Sequence, residues 1–456
     1  MPVPPLAPLG RLLRSERPAT AHPLGWLLFQ LGLFLLASST LVGEVLLAFA
    51  LILGFRGRRP LTSDPWNWPL LAASVLMLLG AVHAYSGWLA WVGLPNWLPF
   101  FVGFWAYQAY LSSPEARRRS AQWLVAGTVP VVVTGFGQMW WGWQGPWELF
   151  SGLMRWEILP GGSPVGRMAG LFDYANITGA WLALAWPLAL ACLFQPRLRW
   201  PARATVLTIV VGILVAAYFS ESRNAWGALL LALPIVSGPG RWPLLLPPLL
   251  LVMLLLSLAS LPGIPLALQG PARLVVPDEI WRRLSDAKYA ASRQMASTRL
   301  GQWGFCLDLI RERPWLGWGA AAFSVIYPLR RGVWHGHPHN LPIELAVSFG
   351  LPVAILLVGQ VLALLVIAAR RGMASGPRLF DRAWWAAALV LTSLHATDLP
   401  LYDSRINVAG WVLLAGLRCA IAAVPAPTVP PSTLTAPSLA ADREAPTRGP
   451  GLGPAS

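Results

Sequence analysis

The chain has 456 residues, of which 56% are hydrophobic and only 12% charged, and its mean hydropathy is +0.56. A soluble domain of this length cannot carry so few charges, so the composition excludes one and points to a polytopic membrane protein. The formal net charge of +15 would suggest nucleic acid in a soluble chain, but the arginines fall in short blocks between apolar stretches, a pattern that orients a chain in a bilayer.

In chain order, the first twenty residues lack the combined signal-peptide pattern of one basic patch, one short apolar run and a cleavage site, and residues 1–23 read as a cytoplasmic tail. Residues 24–55 are too long for one ordinary spanning helix and short for two. Arg11, Arg14 and Arg17 precede this stretch and Arg56, Arg58 and Arg59 follow it, so two short helices meeting near 38–43, with both ends in the cytoplasm, are expected. Further spans are expected at 66–85, 94–111, 121–141, 177–193, 205–219, 225–236, 243–261, 351–369, 383–394 and 408–423, giving about twelve crossings in an all-α fold.

Alternating sides from a cytoplasmic start puts Arg117 to Arg119, Arg197, Arg199, Arg203, Arg241, Arg370 and Arg371 all inside. Segments 141–176, 220–224, 262–350 and 395–407 then lie outside. The expected organisation is a membrane domain over 24–261 with about nine helices, a periplasmic loop over 262–350, and a second membrane part over 351–424 with three helices. Residues 425–456, dense in Pro, Ala, Ser and Thr, read as a disordered cytoplasmic tail.

The loop 262–350 is too long for a simple connection and carries helical periodicity. Ser297 can cap a helix in which Leu300, Trp303, Leu307 and Ile310 form an apolar stripe, with Pro314 beyond its end. Upstream, 278–295 mixes Ile280, Trp281, Leu284 and Tyr289 with Arg282, Arg283, Lys288 and Arg293, as an amphipathic helix on the membrane surface does. Such a face either anchors the loop at the interface or meets an anionic lipid headgroup. Cys192, Cys306 and Cys419 are widely spaced without a CxxC, so neither a disulfide framework nor a zinc site is expected.

Three of the six histidines, His335, His337 and His339, fall within five residues of this loop. Imidazole takes and returns a proton near neutral pH, so the cluster suggests acid–base chemistry at a membrane face. The same trio could instead bind a metal, since residues two apart share a face of an extended segment. No Cys or dense acid cluster stands nearby in the sequence to complete such a site.

His339-Asn340, nine residues and then Gly350 resemble the His-Asn-x9-Gly element of the O-antigen ligase and O-antigen polymerase superfamily. Three other pieces agree in order: Arg167 to Phe172 leading to Asn176, Ser222-Arg223 opening a span, and Arg299 leading to the stretch from Glu312 through Pro314, Gly317 and Gly319 to Phe323. The ligase version continues with a second glycine three residues on and a threonine pair, where this chain has Val353 and no pair. The acceptor therefore stays open between lipid A core, another carrier-linked repeat and a protein.

The resemblance implies glycan transfer from a polyprenyl diphosphate carrier to an acceptor hydroxyl at the periplasmic face of a bacterial inner membrane, without a cofactor. His339 would be the base, with Glu344 or a backbone carbonyl orienting it. No Asp-x-Asp pair occurs, so no metal is expected and arginine must answer the charge of the leaving diphosphate. Arg223 and Arg299 match the family positions for that. Arg167, Asn176, Asn340 and His337 are the expected substrate-binding residues.

Each residue also has a plainer reading. Arg223 could snorkel from a helix end, Arg299 could be solvated, and Arg167 and Asn176 could cap a helix. Asp403 and Arg405 read as an ion pair fixing the loop around His395 and Asp398, and most of the 26 tryptophans, including Trp140, Trp141, Trp143 and Trp147, as an interfacial belt with some free to stack on sugars. An inorganic-carbon or other small-solute transporter is the alternative function. It would place ionisable groups at mid-membrane, whereas Glu44 and His83 fall near expected outer ends. A passive scaffold would leave the loop motifs unused.

Overall fold

A computed structural model describes residues 16–56, 58–285 and 295–423. Among these the architecture is all-α, with one two-stranded antiparallel hairpin, Trp147–Leu149 against Met154–Trp156. Eight helices are long and apolar enough to cross a bilayer, from Pro65–Val82 to Ser404–Ala422. The chain is therefore a multi-pass membrane protein. Shorter apolar helices Pro23–Leu35 and Thr40–Gly54 fill the ambiguous first stretch and pack on each other, and helices Arg223–Ser237 and Leu379–Leu394 occupy two more expected stretches. A count of about twelve crossings thus rests on the arginine pattern rather than on helix length.

Helix Ala175–Phe194 is the centre of the bundle. Ala180 to Ala185 are all buried, because alternating alanine and larger apolar residues let backbones approach on every side. It packs against Trp200–Phe219, Arg223–Ser237 and Leu379–Leu394. In its second turn a Cβ on Gly179 would stand 2.6 Å from the Cβ of Ser222, so only glycine lets the start of helix Arg223–Ser237 come this close. Helix Trp242–Ser260 buries little, as a lipid-facing helix does. The expected span 94–111 begins earlier, as Trp88–Gly93, and is interrupted before Leu98–Ala106, where Pro95 and Pro99 cannot donate helical hydrogen bonds.

The arginine-bearing loops are tied to one another at one end of the bundle. Arg117 pairs with Asp381 at 3.1 Å, Arg418 with Asp64 at 3.0 Å, and Arg382 donates to the carbonyl of Val236. The histidine loop lies at the other end.

Two expectations for that loop are corrected. Helix Arg299–Glu312 is capped by Thr298, whose Oγ1 accepts from the Gly301 N–H at 3.1 Å, and not by Ser297. Its buried face carries Gln302, Phe305, Cys306 and Leu309, while Leu300 and Leu307 are exposed. The helix is apolar on more than one side, and the neighbours Trp318, Phe323, Tyr327 and Val347 select which side is covered. Helix Asp278–Leu284 forms the start of the expected 278–295 helix; residues 286–294 lie outside the described residues.

Candidate active site

The histidine loop is held by the residue after it. Asn340 caps helix Leu341–Phe349, its Oδ1 accepting from the Ile343 N–H at 3.0 Å, while its Nδ2 donates to the Ala396 carbonyl at 2.9 Å. The Leu341 N–H donates to the His395 carbonyl at 2.8 Å. These bonds fix His339 in the left-handed region, φ 54°, which a non-glycine residue adopts only when its surroundings impose it. At the other end of the helix Gly350, φ 86°, packs on Trp315, where a Cβ would stand 2.2 Å from the carbonyl oxygen. Trp318 and Gly319 donate their N–H groups to Val347 and Ser348, and Leu351 donates to Pro314. The Pro314–Gly319 segment and the helix ending at Gly350 are therefore one folded unit.

His339 Nδ1 lies 2.9 Å from Asp398 Oδ1. The same oxygen accepts from the Leu399 N–H at 3.0 Å, and Oδ2 accepts from Asn176 Nδ2 at 3.3 Å. Asn176 Oδ1 in turn accepts from the Arg167 guanidinium at 2.6 Å, whose Nε donates to the Ser220 carbonyl at 2.9 Å. Burial would raise the Asp398 carboxyl, but its bond to His339 and the nearby Arg299 outweigh burial and hold it below the ordinary value. Asp398 is thus ionised, which places the Nδ1 proton of a neutral His339 against it and leaves the Nε2 lone pair free. His337 accepts from the His339 N–H at 3.3 Å, and its ring centroid is 4.4 Å from that of His339. Burial first, then His339 and Arg299, push the His337 imidazole down to about 4, so it is neutral near pH 7.

Cations surround this chain of bonds. Arg299 stands near enough for its charge to bear on both Asp398 and His337. Arg167 is buried, and its guanidinium is pushed below the ordinary value by burial and by the charge of Arg283. Arg283 donates its Nε–H to the Glu221 carbonyl at 3.0 Å and lies 3.7 Å from the Glu221 carboxylate. Arg223 opens the helix capped by Ser222 and makes a long contact, 3.5 Å, to the Leu284 carbonyl. Arg405 is paired with Asp403, donates to the Leu171 carbonyl at 2.8 Å and lies 3.8 Å over the Phe172 ring.

Of the residues expected from sequence, His339 meets His337 and Asn176 meets Arg167, the two pairs joined through Asp398; Arg299 adjoins them electrostatically, and Arg223 sits beside the Arg283–Glu221 pair. Asn340 spends both ends of its amide on the loop. The orienting partner is corrected: Glu344 Oε1 accepts from Ser348 and Tyr402 at 2.8 and 2.9 Å, and Asp398 holds His339 instead. Burial raises the Glu344 carboxyl, so it makes a poor partner for an imidazolium. Asp398 and Arg283 were missed as site residues; Asp398 stands in a loop read as fixed by the Asp403–Arg405 pair and Arg283 on a basic amphipathic face, and nothing along the chain shows what they face. His337, His339 and Asp398 also offer three ligand atoms within 4.8 Å of one another, a set that could hold a metal ion.

Fold and site together define a multi-pass membrane protein whose loops gather a carboxylate-held histidine and a group of arginines at one end of the bundle. Residues 174–358 match the O-antigen ligase family model, which supports the resemblance to the O-antigen ligase and polymerase family. The activity of that family is glycan transfer of the ligase type, from lipid-linked donors to lipid-anchored acceptors in general. The matched stretch contains Asn176, Arg223, Arg299, His339 and Gly350 and leaves Arg167 and Asp398 outside it. No curated protein matches the chain.

Proposed function

We propose that the chain transfers a glycan from a polyprenyl diphosphate carrier to an acceptor hydroxyl at the periplasmic face of a bacterial inner membrane, without a metal. The observation that carries this reading is the His339–Asp398 contact among arginines. His339 Nε2 takes the acceptor proton as its oxygen attacks the anomeric carbon. The bond from that carbon to the diphosphate oxygen breaks, and the polyprenyl diphosphate leaves. Attack opposite the leaving group inverts the anomeric carbon.

Asp398 is a positioning residue. It keeps the imidazole in the reactive tautomer and steadies the imidazolium that forms, as in histidine–carboxylate pairs generally. Arg299 and Arg223 bind the leaving diphosphate, joined by Arg283; Arg167 holds Asn176 and adds positive charge. Crowding of Arg167 and Arg283 is a cost that an incoming diphosphate relieves. Metal independence is supported by the way the three ligand groups already satisfy one another: Asp398 Oδ1 is spent on His339 and Leu399, and Oδ2 on Asn176. Acceptor choice between lipid A core, carrier-linked repeat and protein is not set by any of these residues.

The test is transfer by purified protein with a polyprenyl diphosphate glycan and candidate acceptors in chelator. Product formed by the wild type and lost in His339→Ala is the expected result. Strict dependence on an added divalent ion, or undiminished transfer by His339→Ala, would overturn the mechanism. Bicarbonate uptake into liposomes that depends on His339, with no glycan product, would establish the transporter instead.

A further inference from the structure

We propose that a polar cavity at the histidine end binds pyranose units of the glycan being transferred or of its acceptor. This rests on the transfer reading above and adds a subsite to it. The cavity, about 390 Å³, lies between the turn joining helices Pro23–Leu35 and Thr40–Gly54, the hairpin Trp147–Leu149/Met154–Trp156, and the segment around Asp403.

Its lining is polar and of a particular kind. Hydroxyls of Ser39 and Ser404 and the carboxylates of Glu157 and Asp173 stand beside the rings of Trp156 and Tyr402. A sugar presents hydroxyls that both donate and accept, with an apolar C–H face that lies on aromatic rings, and this set matches both features. Trp156 is fixed by its indole N–H, which donates to the Ser38 carbonyl, and Tyr402, its hydroxyl donated to Glu344, is 41% exposed as a residue. A phosphate is disfavoured. The guanidinium groups lining the cavity, Arg155 and Arg405, are already paired, with Glu148 and Glu157 and with Asp403, while the Asp173 carboxylate is exposed and has no partner among the described residues. Asp173 is the one carboxylate of this lining without a partner among the described residues, an acceptor that suits neutral hydroxyls or an amino sugar.

The cavity adjoins the histidines. Tyr402 lines it while its ring centroid is 5.9 Å from that of His337, and Asp173 precedes Asn176 by three residues in the segment that reaches Asp398. A sugar seated there continues the glycan past the reacting carbon.

The experiment uses the full chain in lipid nanodiscs. Two free oligosaccharides are titrated against it, one cut from the donor's diphosphate lipid and one from the acceptor's lipid anchor, with binding read by calorimetry. The His339→Ala protein is titrated in parallel, so that binding is scored apart from transfer. One of the two oligosaccharides should saturate both proteins, which names the source of the sugar. Trp156→Ala and Asp173→Ala should weaken that binding about tenfold. They should also raise KM for the same substrate by a similar factor while kcat changes less than KM. Where Trp156→Ala fails to fold, Asp173→Ala decides, since its exposed carboxylate has no partner among the described residues. Absence of binding by either oligosaccharide, or variants that bind like the wild type, would overturn the subsite. Binding that persists in a protein forming no glycan product would keep the subsite and sink the transfer reading.

Discussion

His339 and Asp398 stand 59 positions apart in the chain, and their Nδ1 and Oδ1 atoms are 2.9 Å apart. Helix Leu341–Phe349 fixes one through the Asn340 cap, and the turn after helix Leu379–Leu394 presents the other. Asn340 bonds directly between these two segments through the Ala396 carbonyl, so the histidine and the carboxylate move as one unit.

Replacing Asp398 by Asn keeps the shape but removes the charge that selects the His339 tautomer. Transfer kcat is expected to fall by about 10²-fold or more, and His339→Ala to cost about 10²- to 10⁴-fold, with melting temperature nearly unchanged in both. Single-turnover transfer with purified variants measures it. Equal rates for Asp398→Asn and wild type would remove Asp398 from the mechanism.

The arginines should act on the lipid diphosphate rather than on the acceptor. Arg299→Ala and Arg283→Ala are expected to raise KM for the donor about tenfold or more and to lower kcat, with acceptor KM little changed. Lysine at either position should restore only part of the loss, because an ammonium lacks the fork that grips two phosphate oxygens. Donor and acceptor titrations on each variant separate the two effects.

Glu344 gives a pH signature in stability rather than in rate. Burial raises its carboxyl above the ordinary 4.5, so the folded protein keeps a proton that the unfolded chain gives up. The stability this contributes is present below about pH 4.5 and is lost as pH rises toward the folded-state value. Glu344→Gln keeps the acceptor for Ser348 and Tyr402 without a titrating group, and its melting temperature should fall less than the wild type's over that window. Glu344→Ala leaves both hydroxyls without their acceptor and should cost about 1–3 kcal/mol. Parallel melting curves across pH for the three proteins test this, and identical slopes for wild type and Gln would refute it.

Gly350 is required by geometry and not by chemistry. A methyl group there meets the Trp315 carbonyl in a backbone conformation that alanine disfavours, so Gly350→Ala is expected to destabilise the fold by about 1–3 kcal/mol. Transfer activity should fall in proportion to folded protein, read by detergent-purified yield and melting temperature.

Much of the site was legible one segment at a time. The His-Asn-x9-Gly spacing marks a capped helix ending in a left-handed glycine, and both the cap at Asn340 and the glycine at Gly350 are local geometry that a string of residues can announce. The choice of Glu344 over Asp398 as orienter shows where such reading stops. Glu344 is near His339 in sequence, yet its carboxylate is taken up by Ser348 and Tyr402; Asp398 is far in sequence and near in space. The exposed side of helix Arg299–Glu312 was misjudged for a related reason: when several faces are apolar, the covered one is decided by the packing partner, here Trp318, Phe323 and Tyr327.

By itself the sequence determined that this is an all-α membrane protein and that the histidine motif stands in a loop between its spans. Hydrophobic length and the placement of arginines act through the bilayer, a solvent that reads each segment on its own. Only the tertiary structure decided which carboxylate meets His339, which arginines gather around it, and that a polar cavity opens beside it. Those are relations between segments brought together by packing around helix Ala175–Phe194, where close approach at Gly179 and buried alanines set distances that no single stretch of the chain contains.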